Sequence, residues 1–305
     1  MKKMKDLLSL NDLSKNEILD LISSAEKLKK NPKRCEKSLD CKTLLMLFAK
    51  PSLRTHLSFD VAMHQLGGHA IFYDMHNSTL GEKESIKDFA KVTSRYVSGI
   101  MARLYDHNQI LELAENSDVP VINGLTNAYH PCQALGDLLT IKEHFKGKKW
   151  GEISIAYLGD ANNNVTHSLI EGANKLGMGM IVSCPKNKKF MPNEKYVNNL
   201  RYTHDTDPKR AVYRADVIYT DSWMSYQIPK KQEKSRINSL KKFQITGKIM
   251  KSSKKNPIFM HCLPAHRNYE VTDEVMDSPQ SKIYDQAENR LWTEKAILLK
   301  LLGKS

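Results

Sequence analysis

The first group of residues with chemical potential is Pro51-Ser52-Leu53-Arg54-Thr55, which leads directly into a helical pattern. Hydroxyl groups, an arginine and the free N–H groups of a helix N-terminus together form a phosphate site. The guanidinium adds a planar, bidentate donor. The alternative is that Ser52 or Thr55 only caps the helix.

The second group, His130-Pro131-Cys132-Gln133, also stands at a predicted helix start. The imidazole of His130 and the amide of Gln133 can hold a carbonyl oxygen and its amino group, the role of preorganised donors at an electrophile. The alternative is a histidine that caps the helix beside proline. The group lacks the spacing and the ligand number of a zinc site, so no metal is expected.

The third and fourth groups are His261-Cys262-Leu263-Pro264 and Asp221-Ser222-Trp223-Met224-Ser225. Cys262 is either a small buried apolar residue or a polarised thiol that relays a proton. Asp221 and Ser225 either bind a substrate ammonium group or are turn residues.

These groups need elements that bring them together, and apolar runs rich in β-formers alternate with helical patterns along the chain. Predicted strands are Thr43–Phe48, Ala70–Tyr73, Gly99–Leu104, Val119–Asn123, Ile153–Leu158, Met180–Cys184, Val217–Thr220 and Ile258–His261. Predicted helices cover residues 9–22, 58–66, 85–96, 132–144, 165–176 and 288–302. Strand–helix alternation predicts parallel sheets, whose ligands bind beyond the carboxyl ends of the strands. The polar groups, and Arg103 at the end of its strand, fall at those ends.

The chain has 305 residues, enough for two medium domains. The stretch Lys146–Gly151 interrupts the pattern and marks a boundary. The predicted fold class is α/β, with two doubly wound parallel-sheet domains joined by helices. The first would cover residues 1–145 and be completed by a C-terminal helix of about 286–305, and the second would cover residues 146–285.

The formal net charge of +13 is concentrated in one region. Residues 186–255 contain 18 Lys and Arg but only 6 Asp and Glu. The whole chain has 37 lysines and 10 arginines, whereas nucleic-acid grooves usually add arginine and aromatic side chains. A solvated lysine-rich surface is therefore favoured over a polyanion-binding site, and no nucleic-acid partner is expected.

Other features exclude several classes. No Gly-x-Gly-x-x-Gly or Gly-x-x-x-x-Gly-Lys-Ser/Thr motif is present, which disfavours dinucleotide and P-loop nucleotide binding. The five cysteines are odd in number and include no Cys-x-x-Cys pair, which fits thiols in a reducing compartment. No apolar run is long enough to span a bilayer, and the start lacks a signal-peptide pattern. A cytoplasmic protein without a membrane partner is expected.

Taken in order, the motifs resemble the aspartate/ornithine carbamoyltransferase family over about Leu7 to Leu302. Ser52–Thr55 resembles the Ser-Thr-Arg-Thr loop, and His130–Gln133 matches the His-Pro-x-Gln signature. Further segments point to the ornithine branch, namely Asn163-Asn164-Val165, Asp221–Ser225, His261–Pro264 and Asp285–Arg290. The resemblance implies a carbamoyl-phosphate domain followed by a Rossmann-like amino-acid domain.

The resemblance also implies residue roles for carbamoyl phosphate. The phosphate would be bound by Ser52, Arg54, Thr55, the backbone N–H of Leu53, and Arg103. The carbamoyl oxygen would be polarised by His130, Arg290 and the Thr55 hydroxyl. The carbamoyl amino group would be held by Gln133 and the Leu263 carbonyl. Catalysis would proceed by positioning and charge stabilisation, with no cofactor and no covalent enzyme intermediate.

For the acceptor, the resemblance implies L-ornithine, which would give L-citrulline and phosphate. Cys262 and Asp221 would assist deprotonation of the δ-amine. Asn164, Asp221 and Ser225 would hold the amino-acid end. The family forms trimers with active sites at subunit interfaces, so a homotrimer or a multiple of trimers is expected. The same site runs both directions, so arginine biosynthesis and citrulline breakdown both stay open.

The chain departs from the family pattern at several positions. Leu53 replaces a threonine, and His56 replaces an arginine. Thr79 stands where a glutamine is usually offered to the neighbouring subunit. Tyr226 and Gln227 replace Met-Gly in the ornithine loop. Tyr226 adds bulk and a hydroxyl at a position expected to bind the substrate, and the loss of glycine restricts the backbone. Aspartate, putrescine and N-acylornithine remain alternative acceptors, and a non-catalytic relative of the family is the alternative of a different class.

Overall fold

The structure is a computed structural model that describes residues 4–75, 84–224 and 228–303. Within these ranges the strands are β1 (Thr43–Phe48), β2 (His69–Asp74), β3 (Gly99–Arg103), β4 (Val121–Leu125), β5 (Ser154–Leu158), β6 (Gly179–Ser183), β7 (Thr203–Asp205), β8 (Val217–Thr220) and β9 (Ile258–His261). The first six helices in these ranges are α1 (Lys15–Lys30), α2 (Leu53–Gln65), α3 (Ile86–Thr93), α4 (His107–Asn116), α5 (Pro131–His144) and α6 (Asn164–Leu176). They are followed by α7 (Glu194–Val197), α8 (Pro208–Val212), α9 (Glu233–Leu240), α10 (Gly247–Met250), α11 (Asp273–Met276) and α12 (Ile283–Leu302). Short 3-10 turns cover Pro32–Cys35, Trp150–Glu152, Lys230–Gln232 and Lys241–Phe243.

The chain forms two compact units. The first contains the residues up to Leu139 and those from Glu288 onward, and the second contains Thr140–Ala287. Each unit has one sheet whose paired strands are all parallel, which confirms the predicted α/β class. The predicted domain boundaries at residues 145 and 285 stay a prediction. None of the helices in the described ranges is long and apolar enough to cross a bilayer.

The sheet of the first unit has the order β2-β1-β3-β4. Strands β3 and β4 are buried along their whole length, as expected for strands covered on both faces. The chain runs outward from β1 to β2 and then returns to β3 on the other side, so the topological switch lies between β1 and β3. Phe48 is opposite Arg103 in the register, so both strands end at the same level.

The sheet of the second unit has the order β7-β6-β5-β8-β9. Its switch lies between β5 and β8, because the chain leaves β5 toward β6 and later returns to β8. Thr220 is opposite His261, so β8 and β9 also end together. In open α/β sheets, ligands bind outside the carboxyl ends of the strands at such a switch. Each unit therefore has one favoured place for a ligand.

Candidate functional site

In the first unit, helix α2 follows β1 after a loop of four residues. Ser52 is its N-cap residue, and its hydroxyl accepts a hydrogen bond from the Thr55 N–H at 3.3 Å. The first-turn N–H groups of a helix have no partner within the helix, which suits an anion. The Leu53 side chain is 70% exposed, so the backbone is the part of Leu53 that suits a phosphate. The capping and phosphate interpretations of this motif are thus compatible.

Arg290 on α12 connects several of the predicted residues in the first unit. Its side chain is buried, and Nη1 donates to Oε1 of Gln133 at 2.8 Å. Nη2 donates to the Thr55 hydroxyl at 3.4 Å and to the Glu294 carboxylate at 2.5 Å. Arg290, Gln133 and Thr55, which lie on three different helices, are therefore brought together. The sequence motif gave no indication of Glu294.

His130, in the turn before α5, is 5% exposed. Burial, followed by the nearby cations of Arg290, Arg103 and Lys50, holds the pKa of His130 well below its usual range. The imidazole is therefore neutral at pH 7 and can act as a hydrogen-bond donor or acceptor. His130 thus belongs to a cluster of basic residues, Lys50, Arg103, His130 and Arg290, which is called the basic cluster below.

Lys50 is a member of the basic cluster that the sequence motifs did not identify. It follows β1, is 5% exposed, and donates from Nζ to Oδ1 of Asn127 at 2.5 Å. Burial and the neighbouring Arg103 lower the pKa of Lys50 to about 8. A buried lysine beside a buried arginine indicates a site for an anion, because like charges close together otherwise destabilise the fold. The signal available in the sequence was its position just before Pro51-Ser52.

In the second unit, Asp221 and Cys262 follow the neighbouring strands β8 and β9. The Cys262 thiol donates to Oδ1 of Asp221 at 3.0 Å, and the Ser222 N–H donates to the same oxygen at 2.7 Å. Both side chains are partly exposed. Because β8 and β9 are neighbouring strands that end at the same level, two groups that are 41 positions apart in sequence are brought together.

The segment after Cys262 has an unusual backbone. Leu263 has φ +59°, a left-handed conformation that few residues other than glycine adopt. Its N–H donates to Nδ1 of His261 at 2.9 Å, and Nε2 of His261 lies 3.4 Å from the Glu270 carboxylate. Both His261 and Glu270 are fully buried. These contacts hold a strained segment at the predicted site, which is typical of functional backbone.

Asn164 is the first residue of α6, the helix that follows β5. Asn163 caps this helix, accepting the Thr166 N–H at 2.9 Å, and it also donates to the Asp160 carbonyl oxygen at 2.7 Å. Because β5 pairs with β8, the N-terminus of α6 and the residues after β8 belong to the same end of the sheet. A helix N-terminus there suits a carboxylate.

The remaining residues of the predicted motifs are Ser225–Gln227, Thr79, Cys132 and Arg54. Ser225, Tyr226 and Gln227, and also Thr79, lie outside the described residues. Cys132 is fully buried, and burial raises the pKa of its thiol, with the Glu294 carboxylate adding to the effect. Arg54 lies in the first turn of α2 with its side chain partly exposed.

The two units match two domains of one known family. The carbamoyl-P binding domain of aspartate/ornithine carbamoyltransferase matches residues 5–143, and the Asp/Orn binding domain matches residues 151–301. The chain belongs to the aspartate/ornithine carbamoyltransferase family. The predicted resemblance is therefore confirmed over nearly the whole chain.

Individual relatives within this family are ornithine carbamoyltransferases. The ornithine carbamoyltransferase of Archaeoglobus fulgidus is 46% identical over 310 residues, covering 99% of this chain and 98% of the relative. The catabolic ornithine carbamoyltransferase of Halobacterium salinarum is 43% identical over 304 residues, covering 99% of this chain and 100% of the relative. The solved structure of the Pyrococcus furiosus ornithine carbamoyltransferase has a TM-score of 0.91 and 43% identity, covering 98% of this chain and 97% of that one. These relatives support the prediction of an ornithine-type carbamoyltransferase.

Proposed function

We propose that the protein transfers the carbamoyl group from carbamoyl phosphate to the δ-amine of L-ornithine, giving L-citrulline and phosphate. Membership of the family supports the reaction, and the hydrogen bond between Cys262 and Asp221 carries the choice of acceptor. A thiol and a carboxylate side by side suit an ammonium group that must lose a proton before it can attack.

The first unit supplies the donor chemistry. The phosphate would bind at the N-terminus of α2 through Ser52, the Leu53 N–H, Arg54 and Thr55, with Arg103 and Lys50 adding positive charge. His130, Arg290 and the Thr55 hydroxyl would polarise the carbamoyl oxygen, and Gln133 would hold the amino group. Because His130 is neutral at pH 7, it would act by donating a hydrogen bond to the oxygen, where negative charge develops.

The second unit supplies the acceptor chemistry. Asn164 at the N-terminus of α6 would hold the α-carboxylate of ornithine, and Asp221 and Ser225 would hold its α-amino group. An alkylammonium group has a pKa of about 10.4, so the δ-amine is mostly protonated at pH 7. Cys262, with Asp221 beside it, would assist its deprotonation. The leaving phosphate then takes up the proton released by the attacking nitrogen.

A panel of acceptors tests the proposal directly. The purified protein is incubated with carbamoyl phosphate and ornithine, N-acetylornithine, putrescine or aspartate, and the ureido product is measured. We expect ornithine to have the highest kcat/KM. A higher value for another acceptor would contradict the choice of ornithine, and an absence of product with all four would favour the non-catalytic alternative.

A homotrimer is part of the same proposal, and an apolar face of the first unit supports it. This face consists of Leu53, Leu57 and Val61 on α2 and Phe72 on β2, which are all at least 36% exposed. His56 stacks on Phe72 with ring centroids 4.3 Å apart, which joins the helix and strand parts. Strand β2 is also the edge of its sheet. An exposed apolar face on an edge strand is typical of a subunit interface.

Sedimentation velocity tests the trimer. We expect the wild-type protein to sediment as a trimer or a multiple of it, and Leu57→Glu combined with Phe72→Glu to sediment as a monomer. Leu111→Glu, a change of another exposed apolar residue on α4, is the matched control and should keep the oligomer. A monomeric wild type would refute this part of the proposal.

The proposed cytoplasmic location rests on the odd number of cysteines, which fits a reducing compartment.

A further inference from the structure

Glu294 is a buried carboxylate to which the proposed reaction assigns no role. It lies one turn after Arg290 on α12 and is 0% exposed. Its Oε1 atom accepts from Nε of Arg290 at 3.0 Å and from Nη2 at 2.5 Å. A carboxylate taken out of water is strongly unfavourable unless it is paired, so Arg290 accounts for its presence there.

This pairing divides the donors of Arg290 in a specific way. A guanidinium has five N–H donors in a fixed plane. Glu294 accepts two of these N–H donors, so three remain for groups other than Glu294. Gln133 and Thr55 each accept one, at 2.8 and 3.4 Å, and both are residues proposed to contact the carbamoyl group. One donor remains for the carbamoyl oxygen.

The surroundings leave Arg290 little freedom to turn. On the α5 side, a Cβ atom added to Gly136 would lie 3.1 Å from Cδ of Arg290, so the two helices are in close contact there. On the α2 side, burial raises the pKa of Glu294, while Arg290 and the hydroxyl of Ser58 oppose this rise through direct contacts. Ser58 lies on α2, six residues after the Ser52 cap. Glu294 thus connects Arg290 to the helix that begins at the proposed phosphate site.

We propose that Glu294 is a positioning residue that fixes the guanidinium of Arg290 in the plane that polarises the carbamoyl oxygen, and that it acts on the reaction only through Arg290. The inference rests on the proposed function for the identity of the donor substrate. It does not depend on which acceptor is used.

A double-mutant cycle tests whether Glu294 acts through Arg290. Arg290→Met and Glu294→Met each remove one partner while keeping an unbranched side chain, and we expect each to lower kcat about 100-fold. In the double variant, Glu294→Met should change kcat less than about threefold relative to Arg290→Met alone. The double variant removes both charges, so it leaves no buried charge unpaired. If a single Met variant fails to fold, the conservative variant Glu294→Gln provides the test instead. Multiplicative losses in the double variant would overturn the proposal.

A conservative variant separates positioning from a structural role. Glu294→Gln keeps an acceptor oxygen in the same place, and we expect kcat to fall about 10-fold while KM for carbamoyl phosphate stays within about threefold. A purely structural role would instead lower the thermal midpoint and raise KM for both substrates, which would refute positioning. Glu288→Gln on the same helix is the matched control, because Glu288 is half exposed and contacts Lys29 and Trp292.

A binding measurement separates this inference from the proposed reaction. Phosphonoacetamide has both the phosphoryl group and the carboxamide, whereas inorganic phosphate has only the phosphoryl group. By calorimetry, Glu294→Met should reduce the preference for phosphonoacetamide over phosphate about 10-fold and change the Kd for phosphate less than about threefold. An unchanged preference would refute the role of Glu294 even if the wild-type protein forms citrulline. A reduced preference would support it even if ornithine is not the acceptor.

Discussion

Arg236 and Asp160 form a buried ion pair that holds the Asp221–Met224 segment at Trp223 in the second unit. Arg236 donates from Nη2 to the Asp160 carboxylate and from Nε to the Trp223 carbonyl oxygen at 3.0 Å. The Trp223 side chain is buried against Gly159, where a Cβ would lie 2.6 Å from the indole nitrogen. Gly159 has φ +111°, which also favours glycine. The pair therefore fixes the backbone two residues after Asp221.

We expect Arg236→Met to destabilise the protein by about 3–5 kcal/mol, because it leaves the Asp160 carboxylate buried without its partner. Urea unfolding measures this change. Asp160→Asn added to Arg236→Met should recover part of the loss, because the unpaired charge is removed. Arg267→Met is the matched control. Arg267 pairs with Asp273 and Asp277 on the surface, where solvent screens ion pairs and they contribute little to stability. Equal losses for Arg236→Met and Arg267→Met would contradict the prediction.

We expect Lys50 to make carbamoyl-phosphate binding dependent on pH. The lysine is a cation below its pKa of about 8 and neutral above it. Since the cation is the form that attracts phosphate, KM for carbamoyl phosphate should rise as the pH increases through about 8. Lys50→Met should raise KM at pH 7 about 10-fold to 100-fold and remove this inflection. Lys50→Arg, which stays charged, should remove the inflection without the large rise in KM at pH 7. An unchanged inflection in both variants would assign it to another group.

The sequence predicted the sheets well where strands are apolar along their whole length. Strands β1, β8 and β9 have the predicted bounds, because their runs are mostly apolar. Strand β7 was missed, since Thr203–Asp205 is a short polar edge strand that pairs only with β6. Periodicity gives no signal for such a strand.

The predicted N-termini of α1 and α2 were less accurate than the predicted bounds of the strands. Helix α2 was expected from Ser58, but it begins at Leu53, because the polar residues of its first turn interrupt the apolar pattern. Helix α1 covers Lys15–Lys30 instead of residues 9–22. Its N-terminus is set by the capping box of Ser14 and Glu17, a signal that the sequence contains.

The candidate site was predictable where residues fall in motifs at strand ends, as Asp221 and Cys262 do. Lys50 and Glu294 were missed for a physical reason. Whether a lysine or a glutamate is solvated or buried depends on packing, and residue type and spacing do not report packing. Glu294 was visible only as an i,i+4 partner of Arg290, a pairing common on exposed helix faces.

Asp221→Asn should separate the acceptor chemistry from the donor chemistry. The amide still accepts from the Cys262 thiol and the Ser222 N–H, but it no longer attracts an ammonium group. We expect kcat/KM for ornithine to fall about 100-fold or more. KM for carbamoyl phosphate should stay within about threefold, because the residues proposed to bind it belong to the first unit. Asp277→Asn, at an exposed ion pair, is the control. A parallel loss of carbamoyl-phosphate binding would contradict the separate roles of the two units.

Arg54→Ala tests the phosphate site at the N-terminus of α2. Arg54 lies in the first turn of this helix, where its guanidinium can add charge to the orphan N–H donors that the Ser52 cap leaves available. Losing a bidentate, charge-assisted contact to a phosphate is expected to weaken binding about 100-fold, which takes carbamoyl phosphate below detection by calorimetry. Arg95→Ala removes an exposed arginine of the same unit and should leave the affinity unchanged. If Arg54→Ala binds carbamoyl phosphate as tightly as Arg95→Ala does, the phosphate does not bind at this helix, and the basic cluster of Lys50, Arg103, His130 and Arg290 must hold it without Arg54.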